Sequence, residues 1–155
     1  KKEHTQNGRL FREGDKVMQV RNNYDMVWKK DDGEMGQGIF NGDIGIIERM
    51  DPALRMMAIR FDDRVADYPY DSLGELDHAY AITVHKSQGN EFEAVIIPLM
   101  DVSSRLCYRN LLYTAVTRAK KLLIIVGDAR AVYTMVDNNR RTGRFTNLRY
   151  MLEEK

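Results

Sequence analysis

Hydrophobic and polar positions follow a strand-like pattern through the first half of the chain. Residues 16–21 alternate between polar and apolar side chains, which predicts a half-exposed β-strand. Over 38–73, short apolar runs are separated by turn signals at Asn41 with Gly42, at Asp51 with Pro52 and at Asp62 with Asp63. Short strands with closely spaced turns and no helical period predict a small antiparallel barrel or sandwich over this range.

The second half has a different pattern, in which short apolar runs alternate with helical spacing. Residues 79–83 and 95–99 are short and apolar, which predicts two buried strands, and a similar run occupies 122–126. Apolar residues recur at approximately helical spacing over 106–119, and a further helix is predicted over 129–138. This alternation predicts an α/β domain, and open parallel sheets bind their ligands at strand ends.

Two stretches lack a pattern that would pack. Residues 1–9 are polar and aperiodic, so we expect a frayed end there. Residues 26–38 combine charged side chains with glycines, a composition that predicts a mobile loop. Trp28 in that loop has two interpretations: it stacks on a base of single-stranded nucleic acid, or it folds back on a neighbouring domain.

Composition narrows the class of protein without fixing its partner. With 155 residues, 43% of them hydrophobic, the chain can bury the core of one domain or of two small ones. The formal net charge of +1 gives no overall attraction to nucleic acid, so such binding would depend on local clusters. The densest basic cluster, at Arg140, Arg141 and Arg144, is either a DNA backbone contact or a solvated turn.

The single cysteine and the length of the apolar runs bear on the compartment. Cys107 has no second cysteine with which to form an internal disulfide or a cysteine-based zinc site, as suits a reducing environment. No apolar run approaches the roughly 20 residues that span a bilayer. We therefore expect a cytoplasmic protein without a membrane partner.

Side chains that suit phosphate and sugar oxygens are concentrated at the end of the predicted strand 79–83. They offer hydroxyl, imidazole, ammonium and amide groups, from Thr83, His85, Lys86, Ser87 and Gln88. The alternative interpretation is a solvated loop whose serine and glutamine cap a helix.

Glu91 and Arg118, further along the chain, each have two interpretations. Glu91 is either a solvated or capping carboxylate, or an acceptor for a sugar hydroxyl. Arg118 lies near the end of the predicted helix 106–119, where a cation is stabilised by the helix dipole. Its planar, permanently charged guanidinium is also suited to gripping a terminal phosphate.

Two long motifs in this half resemble those of a known family. The run T-x-H-K-S-Q-G-x-E-F followed by a hydrophobic strand resembles motif V of superfamily 1 helicases, and LLYTAVTRAK followed by LLIIV resembles motif VI. The form of both is most similar to the RecD-like branch, the RecD/TraA or exodeoxyribonuclease V alpha-subunit type. Upstream, Gly-Asp-x-Val-Met-Gln-x-x-Asn resembles a segment around motif IV.

The resemblance implies a fold and a division into domains. It implies a partial RecA-like parallel-sheet domain, the second helicase motor domain, that carries an inserted SH3-like β-barrel. On that basis 1–37 is the first part of the motor domain, 38–73 is the barrel, and 74–155 is the remainder with motifs V and VI. In some relatives such a barrel contacts the DNA strand or a partner protein.

The resemblance also implies roles for individual residues. Arg118 matches the arginine finger that acts on the γ-phosphate of ATP, and Glu91 matches the acceptor for a ribose hydroxyl. Gln88 and Gly89 match the junction with the nucleotide, and Arg21 becomes a candidate phosphate contact. The positions that approach the backbone of single-stranded DNA are matched by Thr83, His85, Lys86 and Ser87.

Half of an NTPase site is missing from the sequence. It contains neither a G-x-x-x-x-G-K-[ST] loop nor a paired acidic motif on a strand, so the ligands of Mg²⁺ are not in this chain. The expectation is a C-terminal part of an ATP-dependent DNA helicase that moves 5′ to 3′ and is inactive alone. Its partners would be single-stranded DNA, a separate N-terminal RecA-like domain and other subunits of a nuclease–helicase complex.

Two other functions stay open from the sequence. One is a stand-alone module that binds nucleic acid or protein, beside a degenerate helicase remnant. The other is an RNA helicase of the same superfamily.

Overall fold

The computed structural model describes residues 2–100, 103 and 105–139. The chain forms two compact units, Lys1–Ser87 and Gln88–Lys155. Each unit is described by itself below.

The first unit is built almost entirely from antiparallel strands. A hairpin of β1 (Glu3–Gln6) and β2 (Arg9–Arg12) precedes a seven-stranded sheet. The strands of the sheet are β3 (Lys16–Gln19), β4 (Asn23–Lys30), β5 (Met35–Ile39), β6 (Ile44–Asp51), β7 (Met56–Phe61), β8 (Arg64–Pro69) and β9 (Leu76–His78). Their spatial order is β5-β4-β8-β7-β6-β3-β9, with a 3₁₀ helix, Tyr70–Glu75, between β8 and β9.

The curled sheet encloses one apolar core. Core side chains come from β2, from the strands of the sheet and from the 3₁₀ helix, and the largest fully buried ones include Phe11, Ile47, Phe61, Tyr68 and Leu76. The turns predicted at Asn41 with Gly42 and at Asp62 with Asp63 separate strands as expected. The prediction of a small antiparallel β structure is confirmed.

The sheet extends beyond the predicted barrel range of 38–73 on both sides. Its strands β3 and β4 precede that range, and β9 follows it. The strand predicted over 16–21 is present as β3, but it is not half-exposed: Val17, Met18 and Gln19 are all buried. Neighbouring strands β6 and β9 flank β3 on both edges, which places it inside the sheet.

Two stretches that were predicted to be loose are strands. The predicted frayed end 1–9 contains strand β1 and the start of β2, and every residue of β1 is paired with one of β2. The predicted mobile loop 26–38 is mostly the β4–β5 hairpin, closed by a hydrogen bond from the Lys30 N–H to the Glu34 carbonyl. Charged side chains occupy the outer positions and the turn of this hairpin, whereas Met26 is buried. Trp28 packs against the core of its own unit, so it does not fold back on a neighbouring domain in this structure.

The second unit contains a strand–helix–strand motif with a parallel pair. Its elements are β10 (Phe92–Leu99), α1 (Arg109–Val116), β11 (Ala119–Gly127) and α2 (Ala129–Asp137). Strands β10 and β11 pair in parallel, and Leu112 of α1 and Met135 of α2 are buried in one cluster with Leu99. The predicted strands 95–99 and 122–126 and the predicted helix 129–138 are present, while α1 is shorter than the predicted 106–119. The strands are not buried as expected, because Ile96 is 65% exposed and Leu122 is 51% exposed.

The strand predicted over 79–83 is wrong. The last strand of the first unit ends at His78, the Ala79 N–H donates to the Lys16 carbonyl, and a run of turns follows from Val84 to Gly89. Tyr80 is 67% exposed, so the apolar run is not buried as the prediction required. The polar segment therefore lies in a loop of the first unit and not at the carboxyl end of a buried strand.

None of the helices in the described part of the chain is both long enough and apolar enough to cross a membrane.

Candidate functional site

The segment from Thr83 to Ser87 is a tight loop held by its own hydroxyl groups. The Lys86 N–H donates to Oγ1 of Thr83 at 3.2 Å, and the Ser87 N–H donates to the Thr83 carbonyl at 3.0 Å. Ser87 is only 5% exposed, and its Oγ donates to the Val84 carbonyl at 2.7 Å. The two hydroxyls therefore shape the loop, and its exposed residues are Thr83, His85 and Lys86.

Lys86 is anchored by a carboxylate on the preceding strand. Its Nζ lies 3.2 Å from Oδ2 of Asp77, and the other oxygen of Asp77 lies 2.7 Å from Nη1 of Arg9. Exposed ion pairs of this kind contribute roughly 0–1 kcal/mol. The Lys86 ammonium can consequently exchange Asp77 for a phosphate oxygen at small cost.

In the second unit, Arg118 links the end of α1 to the segment before β10. Its Nη1 donates to the Asn90 carbonyl at 3.0 Å, its Nε to the Thr114 carbonyl at 3.2 Å, and its Nη2 to Oγ1 of Thr117 at 3.4 Å. The Phe92 N–H in turn donates to the Arg118 carbonyl at 2.8 Å. A guanidinium has five N–H donors, so donors remain for a further acceptor.

Glu91 lies directly before strand β10, in the same unit as Arg118. Phe92 of β10 pairs with Ala119 of β11, so the residues just before them, Glu91 and Arg118, lie together at the amino edge of the parallel pair. The Glu91 carboxylate is exposed and lies 3.5 Å from Nζ of Lys120. This edge brings together one carboxylate and two cationic side chains.

Gln88 and Gly89 precede Glu91 in an exposed turn. Gly89 has a φ of +85°, and no heavy atom lies within 4 Å of the place where a Cβ would stand. The turn therefore requires glycine for its backbone conformation and not for lack of space.

Arg21 belongs to the first unit, where it is exposed just after β3. The loop that carries it is braced by Glu75, whose Oε2 accepts from Nδ2 of Asn23 at 2.9 Å and from Nε2 of Gln19 at 3.0 Å. Gln19 is fully buried and also accepts from the hydroxyl of Tyr68, whose pKa is raised by burial. Arg21 is thus presented on a fixed loop.

The basic cluster of Arg140, Arg141 and Arg144, which the sequence offers as a DNA backbone contact or a solvated turn, lies outside the described residues. Among the residues that the structure describes, no group of three or more His, Cys, Asp or Glu side chains is placed to hold a metal ion.

Sequence reasoning missed partners that are remote along the chain. Asp77 anchors Lys86 from nine residues away, and the Asn90 carbonyl receives Arg118 from 28 residues away. Neither contact has a signal in composition or periodicity. Tyr80 was assigned to a buried strand, although an aromatic residue so near a polar loop is a signal of possible surface use.

Comparison with known families matches each part of the chain separately. A sequence profile for the ATP-dependent RecD-like DNA helicase SH3 domain matches residues 1–61. A profile for the UvrD-like helicase C-terminal domain matches residues 78–126.

Individual relatives agree with both profiles. The RecBCD enzyme subunit RecD of Mycobacterium tuberculosis is 35% identical over 120 residues, which cover 77% of this chain and 20% of that protein. The ATP-dependent RecD2 DNA helicase of Deinococcus radiodurans is 33% identical over 120 residues, which cover 77% of this chain and 15% of that protein. The chain thus spans about a fifth or less of the length of these relatives.

Solved helicase structures share the fold. A Pif1 helicase from Bacteroides, crystallised with ADP-AlF3 and single-stranded DNA, superposes with a TM-score of 0.53 over 93% of this chain and 33% of its own, at 18% identity. The Pif1 helicase of Candida albicans gives a TM-score of 0.51 over 85% of this chain and 35% of its own, at 15% identity. The expected fold class, a RecA-like motor-domain part with an SH3-like barrel, is confirmed. With both profiles and relatives at about 35% identity in agreement, the chain belongs to the RecD-like superfamily 1 helicases.

Proposed function

We propose that this chain supplies the nucleotide-facing and strand-facing side of the second motor domain of an ATP-dependent DNA helicase that moves 5′ to 3′. The observation that carries the proposal is the position of Glu91 and Arg118, each directly before one of the paired strands β10 and β11, within two intact motifs. A degenerate remnant would not need to keep both charges at these positions.

The nucleotide role rests on the chemistry of Glu91 and Arg118. Arg118 retains N–H donors beyond its three hydrogen bonds within the unit, and it would grip the terminal phosphate of ATP. The exposed Glu91 carboxylate would accept a hydrogen bond from a ribose hydroxyl, with Gln88 and Gly89 beside it. Arg21 is a further candidate for a phosphate.

Hydrolysis needs groups that this chain lacks. A P-loop to cradle the phosphates and acidic residues to hold Mg²⁺ would come from an N-terminal RecA-like domain, and this chain alone would be inactive. When bound with ATP, Mg²⁺ would neutralise negative charge on the phosphates and help to position the phosphoryl group that is transferred.

The strand role rests on the loop of the first unit. Thr83, His85 and Lys86 are its exposed residues, and the hydroxyls of Thr83 and Ser87 also hold its backbone in place. We propose that Lys86 leaves Asp77 to contact a DNA phosphate. Because the RecD relatives are named as subunits of the RecBCD enzyme, other subunits of a nuclease–helicase complex are candidate partners, and repair and recombination are candidate processes.

The test is ATP turnover by the full-length protein with and without single-stranded DNA. In Arg118→Ala we expect DNA-stimulated kcat to fall at least about 100-fold, because removal of a group that stabilises transition-state charge costs on that order or more. Strand affinity should stay within a few-fold. Arg130→Ala is the matched control, since Arg130 is an exposed arginine of the same unit that pairs with Asp128.

Two results would count against the proposal. Unchanged turnover in Arg118→Ala would exclude the finger role. A wild-type protein whose ATP turnover does not respond to DNA would argue against a DNA motor. Thermal unfolding of each variant separates a loss of chemistry from a loss of fold.

A further inference from the structure

Three aromatic rings form a column that runs from the core of the first unit to its surface. Phe11 is fully buried, and its ring stacks on that of His78 with centroids 5.0 Å apart and planes 22° apart. His78 stacks in turn on Tyr80 at 5.5 Å and 15°. Tyr80 ends the column and is 67% exposed.

The outer ring of the column is held in place. A hydrogen bond with Asp15, together with burial, raises the pKa of the Tyr80 hydroxyl. Asp15 also lies 3.5 Å from Nε2 of His78 and accepts from the Arg12 N–H at 2.9 Å. Tyr80 therefore has one ring face against His78 and its hydroxyl beside Asp15, while 67% of the residue remains exposed.

The column lies beside the loop that carries Lys86. Tyr80 falls between strand β9 and that loop, three residues before Thr83. The loop folds back so that Nζ of Lys86 reaches Asp77, the neighbour of His78 on β9. Because consecutive residues of a strand point to opposite faces, Lys86 contacts β9 on the Asp77 face and Tyr80 contacts it on the His78 face. Strand β9 is an edge strand of the sheet, so a single strand that crosses this edge can meet both the cationic group and the aromatic ring.

We propose that Tyr80 is a base-stacking platform for the single DNA strand whose backbone Lys86 contacts, an assignment that rests on the proposed function. Proteins that hold single strands pair a cationic contact to the backbone with aromatic faces on which bases stack. Every base has such a face, so this contact tolerates any sequence. The ring is already ordered by His78 and Asp15, so little side-chain freedom is lost when a base stacks on it.

The test compares two oligonucleotides of equal length and charge, oligothymidine and the same backbone without bases, by fluorescence anisotropy with the full-length protein. In Tyr80→Leu the affinity for oligothymidine should fall about 5-fold to 150-fold, the range that base stacking on aromatic side chains contributes. Affinity for the abasic strand should stay within about two-fold, since its phosphate contacts are unchanged. Leucine keeps an apolar contact with His78 but has no aromatic face.

Matched variants separate stacking from folding and from charge. Tyr80→Phe keeps the ring and should bind both strands like wild type. Tyr133→Ala, which removes an equally exposed tyrosine (69%) from α2, should do the same. Lys86→Ala should weaken both strands and lower the slope of log affinity against log salt by about 0.7, the value expected for one single-strand phosphate contact. A 2-aminopurine base placed in the strand should be quenched by wild type and not by Tyr80→Leu.

The outcomes of the two proposals can be told apart. Equal losses for both strands in Tyr80→Leu, or no loss for either, would overturn the stacking role while leaving the Lys86 result intact. An unchanged salt slope in Lys86→Ala, or a wild-type protein that binds neither strand, would instead count against the proposed function.

Discussion

At the scale of single residues, Arg118 holds its own unit together as well as facing the candidate nucleotide edge. Its guanidinium joins the Asn90 carbonyl to the Thr114 carbonyl, two acceptors that belong to separate segments of the second unit. A lysine ammonium is a compact charge without the rigid fork, so it cannot keep this geometry. Arginine is therefore required at this position by the local backbone, apart from any phosphate contact.

Glu13 offers a residue-scale test of stability. Its two carboxylate oxygens accept from the Met50 N–H at 3.0 Å and the Lys2 N–H at 3.3 Å, and these hydrogen bonds hold the pKa of the carboxyl below its ordinary value of 4.5. A depressed pKa in the folded state means that the stabilisation is present above the unfolded pKa and is lost as pH falls through the folded one.

We therefore expect Glu13→Gln to lower the thermal unfolding midpoint of the first unit at pH 7, because an amide cannot accept both hydrogen bonds as the carboxylate does. The difference from wild type should narrow as the pH falls below about 4.5, where the wild-type carboxyl becomes protonated. Asp67→Asn, which changes an exposed carboxylate on β8, is the control. A difference that stays constant with pH would show that the charge of Glu13 is not what stabilises the fold.

The limits of sequence reasoning are also visible in single residues. The motifs name Glu91, Lys86 and Arg118 because their spacing within short runs is distinctive. Spacing contains no information about the partners Asp77 and Asn90, since those contacts arise only when remote segments meet. The sequence also does not show that the hydroxyls of Thr83 and Ser87 form hydrogen bonds within their own loop, which the structure shows for both.

At the scale of elements, alternation was a better guide than composition. The hairpin β4–β5 was predicted as a loop because of its charges and glycines, although Met26 and Trp28 keep the two-residue period of a strand with one face inward. The strand predicted over 79–83 was wrong for the opposite reason. The run is apolar enough for a strand, but it pairs with no other strand and Tyr80 is exposed. The parallel strands were predictable because their short apolar runs are uninterrupted, and α2 because its apolar residues recur at helical spacing.

The end of β11 gives an element-scale prediction. Gly127 has a φ of +143° and pairs with Leu99, and a Cβ at this position would collide with the Leu99 carbonyl oxygen. Gly127→Ala should therefore destabilise the second unit by about 1–3 kcal/mol, the usual cost of a strained backbone conformation. Thermal unfolding followed by circular dichroism measures the change.

Gly74→Ala serves as the control for that substitution. No heavy atom lies within 4 Å of a Cβ at Gly74, and its φ is not in the left-handed region. We expect its unfolding midpoint to stay near that of wild type. Equal midpoints for Gly127→Ala and wild type would mean that the strand end shifts freely, and that β10 and β11 are not held in register there.

At the scale of the whole molecule, the two units differ in how completely they bury their apolar surface. The sheet of the first unit closes around a core whose members lie between Phe11 and Leu76. In the second unit, α1 and α2 cover one face of the parallel pair, while the opposite face is apolar and exposed at Ala94, Ile96, Pro98, Leu122, Ile124 and Val126. Parallel sheets are ordinarily covered on both faces, and two strands alone are marginally stable.

This asymmetry predicts different behaviour for the two units when each is produced as a separate polypeptide. Residues 1–87 contain every member of the first core, so they should unfold in one cooperative thermal transition and give dispersed amide NMR signals. Residues 88–155 should show a broad transition and should bind a dye that reports exposed apolar surface, because the uncovered face of β10 and β11 remains in water. The full 155-residue chain, measured at the same concentration, is the reference for both.

A cooperative transition without dye binding for 88–155 would show that this unit covers its own sheet. Loss of the transition for 1–87 would show that the barrel depends on residues beyond Ser87, since its core alone would then be insufficient to hold the seven strands together.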